Sequence, residues 1–149
     1  MKTVKGDLVK MAQRGEFELI AHGCNSMCAM GKGIALTIKK VFPKAYEVDC
    51  ETEAGDINKL GTCTVANCGS VLVVNCYTQY HWKGSEGDVS YDAIKSCMKW
   101  IKDNYSERKI GLPLIGAGLG GGDWNKISAI IEKELAGSDV TIVEFQPES

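Results

Sequence analysis

The stretch Pro113-Leu114-Ile115-Gly116-Ala117-Gly118-Leu119-Gly120-Gly121-Gly122-Asp123-Trp124 carries five glycines in seven positions between an apolar run and a helical pattern. Glycine loses more conformational freedom on folding than any other residue, so a cluster this dense is unfavourable unless something approaches the main chain closely. A strand, a glycine-rich turn and a helix N-terminus in succession present a concavity of backbone N–H groups suited to phosphate. The alternative is a flexible surface loop, and the rest of the chain decides between the two.

Along the chain, Thr3 to Lys5 reads as a short strand and Leu8 to Gln13 as a short helix with Asp7 at its N-cap. A second strand, Phe17 to Ala21, runs into the polar segment His22 to Met30 and then a Gly31-Lys32-Gly33 turn. Apolar residues Ile34, Ala35, Ile38, Val41 and Phe42 follow at helical spacing until Pro43. This is a second strand, glycine loop and helix. Ala45 to Glu53 reads as another short helix, and Thr62–Ala66 and Val71–Tyr77 as strands of a hairpin through Asn67-Cys68-Gly69-Ser70. The polar and aromatic Thr78 to Asp88 reads as a rim loop. Val89, Ala93, Cys97, Trp100 and Ile101 share one face of a helix ending near Tyr105. Lys109 to Ile115 is the strand feeding the opening loop, Trp124 to Leu135 the helix after it, and Val140 to Phe145 the last strand.

Strands alternating with helices predict a three-layer α/β/α sandwich around a mixed, largely parallel sheet. Ligands in such folds bind beyond the carboxyl ends of the strands, which gathers the two glycine loops and the rim loop at one end of the molecule. That coincidence favours a binding site over a flexible loop.

With 149 residues, the chain has the size of a single domain spanning 1–149, and 44% hydrophobic with 24% charged residues is ordinary globular composition. A net charge of −2 argues against a basic groove for nucleic acid, whereas a small anion held by backbone amides needs no positive excess. No apolar run approaches the roughly 20 residues that span a membrane and the first residues lack a secretory core, so a cytoplasmic protein without a membrane partner is expected. Seven cysteines without a paired C-x-x-C fit neither a disulfide framework nor a zinc ribbon. The sequence calls for no cofactor and no metal.

The late loop lacks the Gly-Lys-Ser/Thr ending of a triphosphatase P-loop. It matches G-x-G-x-x-G superficially, but a dinucleotide oxidoreductase usually carries that fingerprint in its first strand and helix. Four segments together are more informative: Val4-Lys5-Gly6-Asp7-Leu8, Ala21-His22-Gly23-Cys24-Asn25, Met30-Gly31-Lys32-Gly33-Ile34-Ala35 and Pro113 to Leu119. In order and spacing they resemble a macrodomain, over nearly the whole chain from Val4 to Phe145. The chain is most similar to the branch holding ADP-ribose-1″-phosphate phosphatases and terminal ADP-ribose glycohydrolases.

The resemblance implies ADP-ribose or ADP-ribose-1″-phosphate as ligand, and ADP-ribosylated protein or nucleic acid as further candidate partners. Asp7 would accept from the adenine amino group beside Leu8, and Phe145 would stack on the base, unless it is a core residue at the sheet edge. Gly31, Lys32, Gly33 and Ile34 would line the diphosphate on one side and Gly116, Ala117, Gly118, Leu119 and Gly120 on the other. Gly23 and Asn25 would meet the distal ribose, with Gln79 and Tyr80 also in contact there.

For chemistry, the resemblance implies His22 as acid or base in a metal-independent hydrolysis of the 1″ phosphate, helped by Asn25 and Gln79. The other reading of His22 is a residue that fixes the loop through a backbone carbonyl. The glycohydrolase branch uses a lysine and an aspartate where this chain has Gln79 and Gly120. Those departures weaken a covalent-lysine mechanism. A hydrolase, a non-catalytic ADP-ribose reader and a nucleotide-dependent oxidoreductase are therefore the three functions to separate.

Overall fold

A computed structural model of the chain describes residues 1–80, 89–118 and 120–148. The elements run β1 (Lys2–Gly6), α1 (Leu8–Gln13), β2 (Leu19–Asn25), α2 (Gly33–Val41), α3 (Pro43–Cys50), β3 (Cys63–Asn67), β4 (Leu72–Gln79), α4 (Tyr91–Tyr105), β5 (Lys109–Leu112), α5 (Trp124–Glu134) and β6 (Asp139–Phe145), with a short 3-10 turn at Ile57–Lys59. Among the described residues no helix is long and apolar enough to cross a membrane.

Two chain breaks differ from the sequence reading, each for a local reason. β5 ends at Leu112 rather than Ile115 because Pro113 has no N–H to offer a ladder. The proline at 43 both ends α2 and opens α3, where its missing donor costs nothing at the first helical position. A third difference is not local. β2 continues through His22 to Asn25, residues expected in a loop, because His22, Gly23 and Cys24 pair with Asn75, Cys76 and Tyr77 of β4.

The strands lie in the order β1-β6-β5-β2-β4-β3 in one six-stranded sheet. All pairs are parallel except the β3–β4 hairpin. One face packs Leu19, Ala21, Val74, Ile110 and Ile142 against Ile94, Met98 and Ile101 of α4 and Ile127 and Ile131 of α5. The other packs Ile20, Val73 and Val143 against Leu8 and Ala12 of α1, Ile38 of α2 and Ala45 of α3. This is the expected three-layer α/β/α sandwich.

From β2 the chain proceeds to β3 and β4 on one side and later to β5 on the other. The β2–β5 ladder holds only Leu19↔Ile110 and Ile20↔Gly111. Past Gly111 the two strands have no pairing, and the sheet opens at its carboxyl edge. Such a switch point is where open α/β sheets form a crevice for ligands.

Candidate functional site

Two cavities, of about 440 and 600 Å³, lie along that crevice and share Gly33, Ile34, Pro113, Leu114 and Gly118 as walls. Each falls within the roughly 300–1,000 Å³ typical of small-molecule sites. The first is closed by Gly23, Cys24 and Asn25 at the end of β2, by Thr78 and Gln79 at the end of β4, and by Gly116 and Gly120. The second lies between Asp7 and Leu8 at the start of α1 and Val143 and Phe145 at the end of β6.

The partition between them is made by the two glycine segments. Gly33 starts α2 at φ 58°, and its N-cap Lys32 offers no side chain to the first-turn amides. Those N–H groups and the helix dipole give the shared wall positive potential. The opposite segment is pinned by its own backbone, with Gly121 N–H donating to Gly118 O at 3.1 Å and Gly122 N–H to Gly116 O at 2.8 Å. Its backbone is thus preorganised before any ligand arrives. Gly116 sits at φ 77°, which only glycine adopts without strain. A β-carbon on Gly118 would meet nothing, so this residue borders open space.

At the outer end of the second cavity, Asp7 accepts from Lys10 N–H at 3.2 Å as the α1 N-cap and is also one of the residues lining the cavity. Phe145 is 71% exposed beside it. That exposure removes the reading of Phe145 as a core residue.

The first cavity holds Gln79 and Gly120 as neighbours, since a β-carbon on Gly120 would come 3.0 Å from Gln79 Oε1. Asn25 lines the same wall, but its side chain is engaged within its own loop. Its Oδ1 accepts from Met27 N–H at 2.9 Å and its Nδ2 donates to Ala29 O at 2.8 Å. Asn25 therefore holds the loop shape.

His22 does not reach either cavity, a correction to its expected role as acid or base. Its ring is fully buried beneath β2, where Nε2 lies 2.7 Å from Asn75 Oδ1. Asn75 Nδ2 donates to Ala45 O and Thr64 Oγ1, which fixes Oδ1 as the acceptor and leaves the Nε2–H tautomer of His22. Burial lowers its pKa to about 4, so the ring is neutral at pH 7. Tyr80 is the second correction. Its hydroxyl donates to Gly55 O at 2.7 Å and the residue lines neither cavity.

Cys24 borders the first cavity, but burial raises its thiol pKa well above the usual value and Sγ lies 3.4 Å from His22 Nε2. It is no thiolate nucleophile. Cys28, at φ 56°, turns away and donates to Asp49 O at 3.3 Å. Asp123 is a helix cap, accepting from Asn125 N–H at 2.9 Å.

Asp7, Leu8, Gly23, Asn25, Gly31, Lys32, Gly33, Ile34, Gln79, Gly116, Ala117, Gly118, Gly120 and Phe145 are thus brought to one crevice. Leu119, and the rim loop from His81 to Asp88, lie outside the described residues. Sequence reasoning missed Pro113 and Leu114 as shared walls, although their place directly before the glycines was a usable signal. Thr78, the first residue of the expected rim loop, instead lies within β4, and its buried hydroxyl packs against Gly23 with no hydrogen-bond partner among the described residues.

Known proteins share this sequence pattern and fold. The chain is 34% identical over 157 residues to an uncharacterised 17.5 kDa protein of Enterobacteria phage T4, covering 99% of this chain and 97% of that one. It is 28% identical to a DNA ADP-ribosyl glycohydrolase of Thermus aquaticus over 91% of this chain, and spans 38% of that relative's length. An ADP-ribose 1″-phosphate phosphatase of Candida albicans is 26% identical, with 87% of this chain and 90% of that protein covered. Among solved structures, the macrodomain of Thermus aquaticus DarG superposes with a TM-score of 0.74 at 25% identity, covering 98% of this chain and 97% of that one. The Macro domain family model matches residues 21–131, from β2 into α5 and including both glycine segments: the chain belongs to the macrodomain family.

Proposed function

We propose that the chain binds ADP-ribose along the crevice and hydrolyses ADP-ribose-1″-phosphate to ADP-ribose and phosphate. The observation that carries this reading is the pair of cavities divided by the uncapped start of α2. Adenine lies in the outer cavity, with its amino group on Asp7 and its face on Phe145. The diphosphate takes the amides of Gly33 and Ile34 on one side and the Gly116–Gly120 segment on the other. The distal ribose and its 1″ substituent fill the inner cavity beside Gly23, Asn25 and Gln79.

Reaction follows from positioning, because the inner wall supplies neutral hydrogen-bonding groups in Gln79 and the glycine amides. Such a wall suits a leaving group that departs as a stable anion. Water adds at C1″, the C1″–O bond breaks with its electron pair going to phosphate, and the proton lost by the attacking water is taken up by the departing phosphate, which leaves as hydrogen phosphate. Because that proton comes from the attacking water, the step calls on no side-chain acid, in keeping with His22 being buried beneath the site.

A second reading, removal of ADP-ribose from DNA or protein, is favoured by the likeness to the Thermus aquaticus glycohydrolase. The replacement of the branch's lysine and aspartate by Gln79 and Gly120 stands against it. The test is incubation with ADP-ribose-1″-phosphate in ¹⁸O-water, with ADP-ribosylated DNA and protein in parallel. Release of phosphate free of ¹⁸O is expected. Label in the phosphate contradicts attack at C1″, release from DNA or protein alone selects the second reading, and binding without turnover leaves a reader.

A further inference from the structure

Away from the crevice, three of the seven cysteines converge. Cys63 on β3 and Cys76 on β4 are register partners across the hairpin, and Cys97 of α4 packs onto them. Their sulfurs all lie within 4.8 Å of one another, with Cys63 and Cys76 at 3.9 Å. We propose that Cys63, Cys76 and Cys97 form a three-thiolate site for one soft monovalent d¹⁰ cation of the Cu(I) class.

The geometry fits threefold coordination. A metal–thiolate bond of about 2.3 Å with three sulfurs spread around the ion sets them about 4 Å apart. The present spacing needs adjustments of tenths of an ångström, within reach of a change of side-chain rotation. Among the described residues no histidine, carboxylate or further cysteine joins the cluster. Zinc prefers four tetrahedral ligands, whereas soft thiolates without a fourth donor select Cu(I). Two of the three sulfurs are fully buried, so water does not compete for the ion. Cys63 is half-buried on the edge strand and gives the path of entry. Each thiol that ligates the ion as thiolate first gives up its proton to solvent, and no electron is transferred.

The test titrates the reduced full chain with Cu(I) under anaerobic conditions against a chromogenic Cu(I) chelator, with native mass spectrometry for stoichiometry. One copper per chain is expected, together with a rise in thermal midpoint as the ion clamps the β3–β4 hairpin to α4. Cys63→Ser, at the half-exposed position, should lose the tight site while keeping the wild-type circular dichroism, and Cys97→Ala should do the same. Cys50→Ser and Cys68→Ser should retain it. Failure of the wild type to compete with the chelator overturns the proposal, as does undiminished binding in Cys63→Ser and Cys97→Ala.

Discussion

Gly116 and Gly118 stand two positions apart in one loop and answer to different constraints. A β-carbon on Gly116 would sit 2.9 Å from Val89 and 3.1 Å from Ile94, at a φ of 77°. Gly116→Ala should therefore lower stability by about 1–3 kcal/mol, read from the denaturant midpoint. His22 shows a different limit of reading residues one by one. A histidine before Gly-Cys-Asn in a polar run looks like loop chemistry, yet its burial depends on Asn75, which is 53 positions away. No local pattern carries that pairing. With its folded pKa near 4 and an ordinary value of 6.5, the unfolded chain takes the proton first as pH falls. Its stabilising contribution is complete above pH 6.5 and declines toward pH 4, by an order of about 3 kcal/mol at the acid end. His22→Gln keeps a donor for Asn75 without titrating, so its stability should fall less steeply than wild type between pH 6.5 and 4. Equal slopes would place the imidazole in a more polar setting.

Elements were legible where their signals are local. Asp7 read as an N-cap from sequence, and it accepts from the backbone as a cap does, as Asp123 also does at the start of α5. The ends of β2 and β5 were less legible, because strand length is fixed by the neighbour. β2 lengthens against β4, while β5 stops at a proline. Asp7 does double service as cap and cavity wall, and the two roles separate by substitution. Asp7→Ala should cost about 1 kcal/mol of stability, whereas Asp7→Ser keeps a capping oxygen and most of that stability. Both should weaken ADP-ribose if the carboxylate meets adenine. Unchanged affinity in Asp7→Ser, measured by calorimetry, would leave Asp7 a cap alone.

At the scale of the whole molecule, the order of strands and helices was enough to anticipate a three-layer sandwich with both glycine loops at one edge. The crevice itself arises from the short β2–β5 ladder and the divergence beyond Gly111, a consequence of topology that alternation along the sequence already implies. The inner chemistry was less legible, since a side chain on β2 faces either the crevice or the layer beneath it according to one residue of register. The central claim is that one ADP-ribose spans both cavities across Gly118, where a β-carbon meets only open space. Calorimetric titration of ADP-ribose into the wild type and Gly118→Val tests it most directly. One-to-one binding by the wild type and its loss in the variant, at an unchanged thermal midpoint, is the predicted result; equal affinity in the two proteins, or no binding by the wild type, would contradict it.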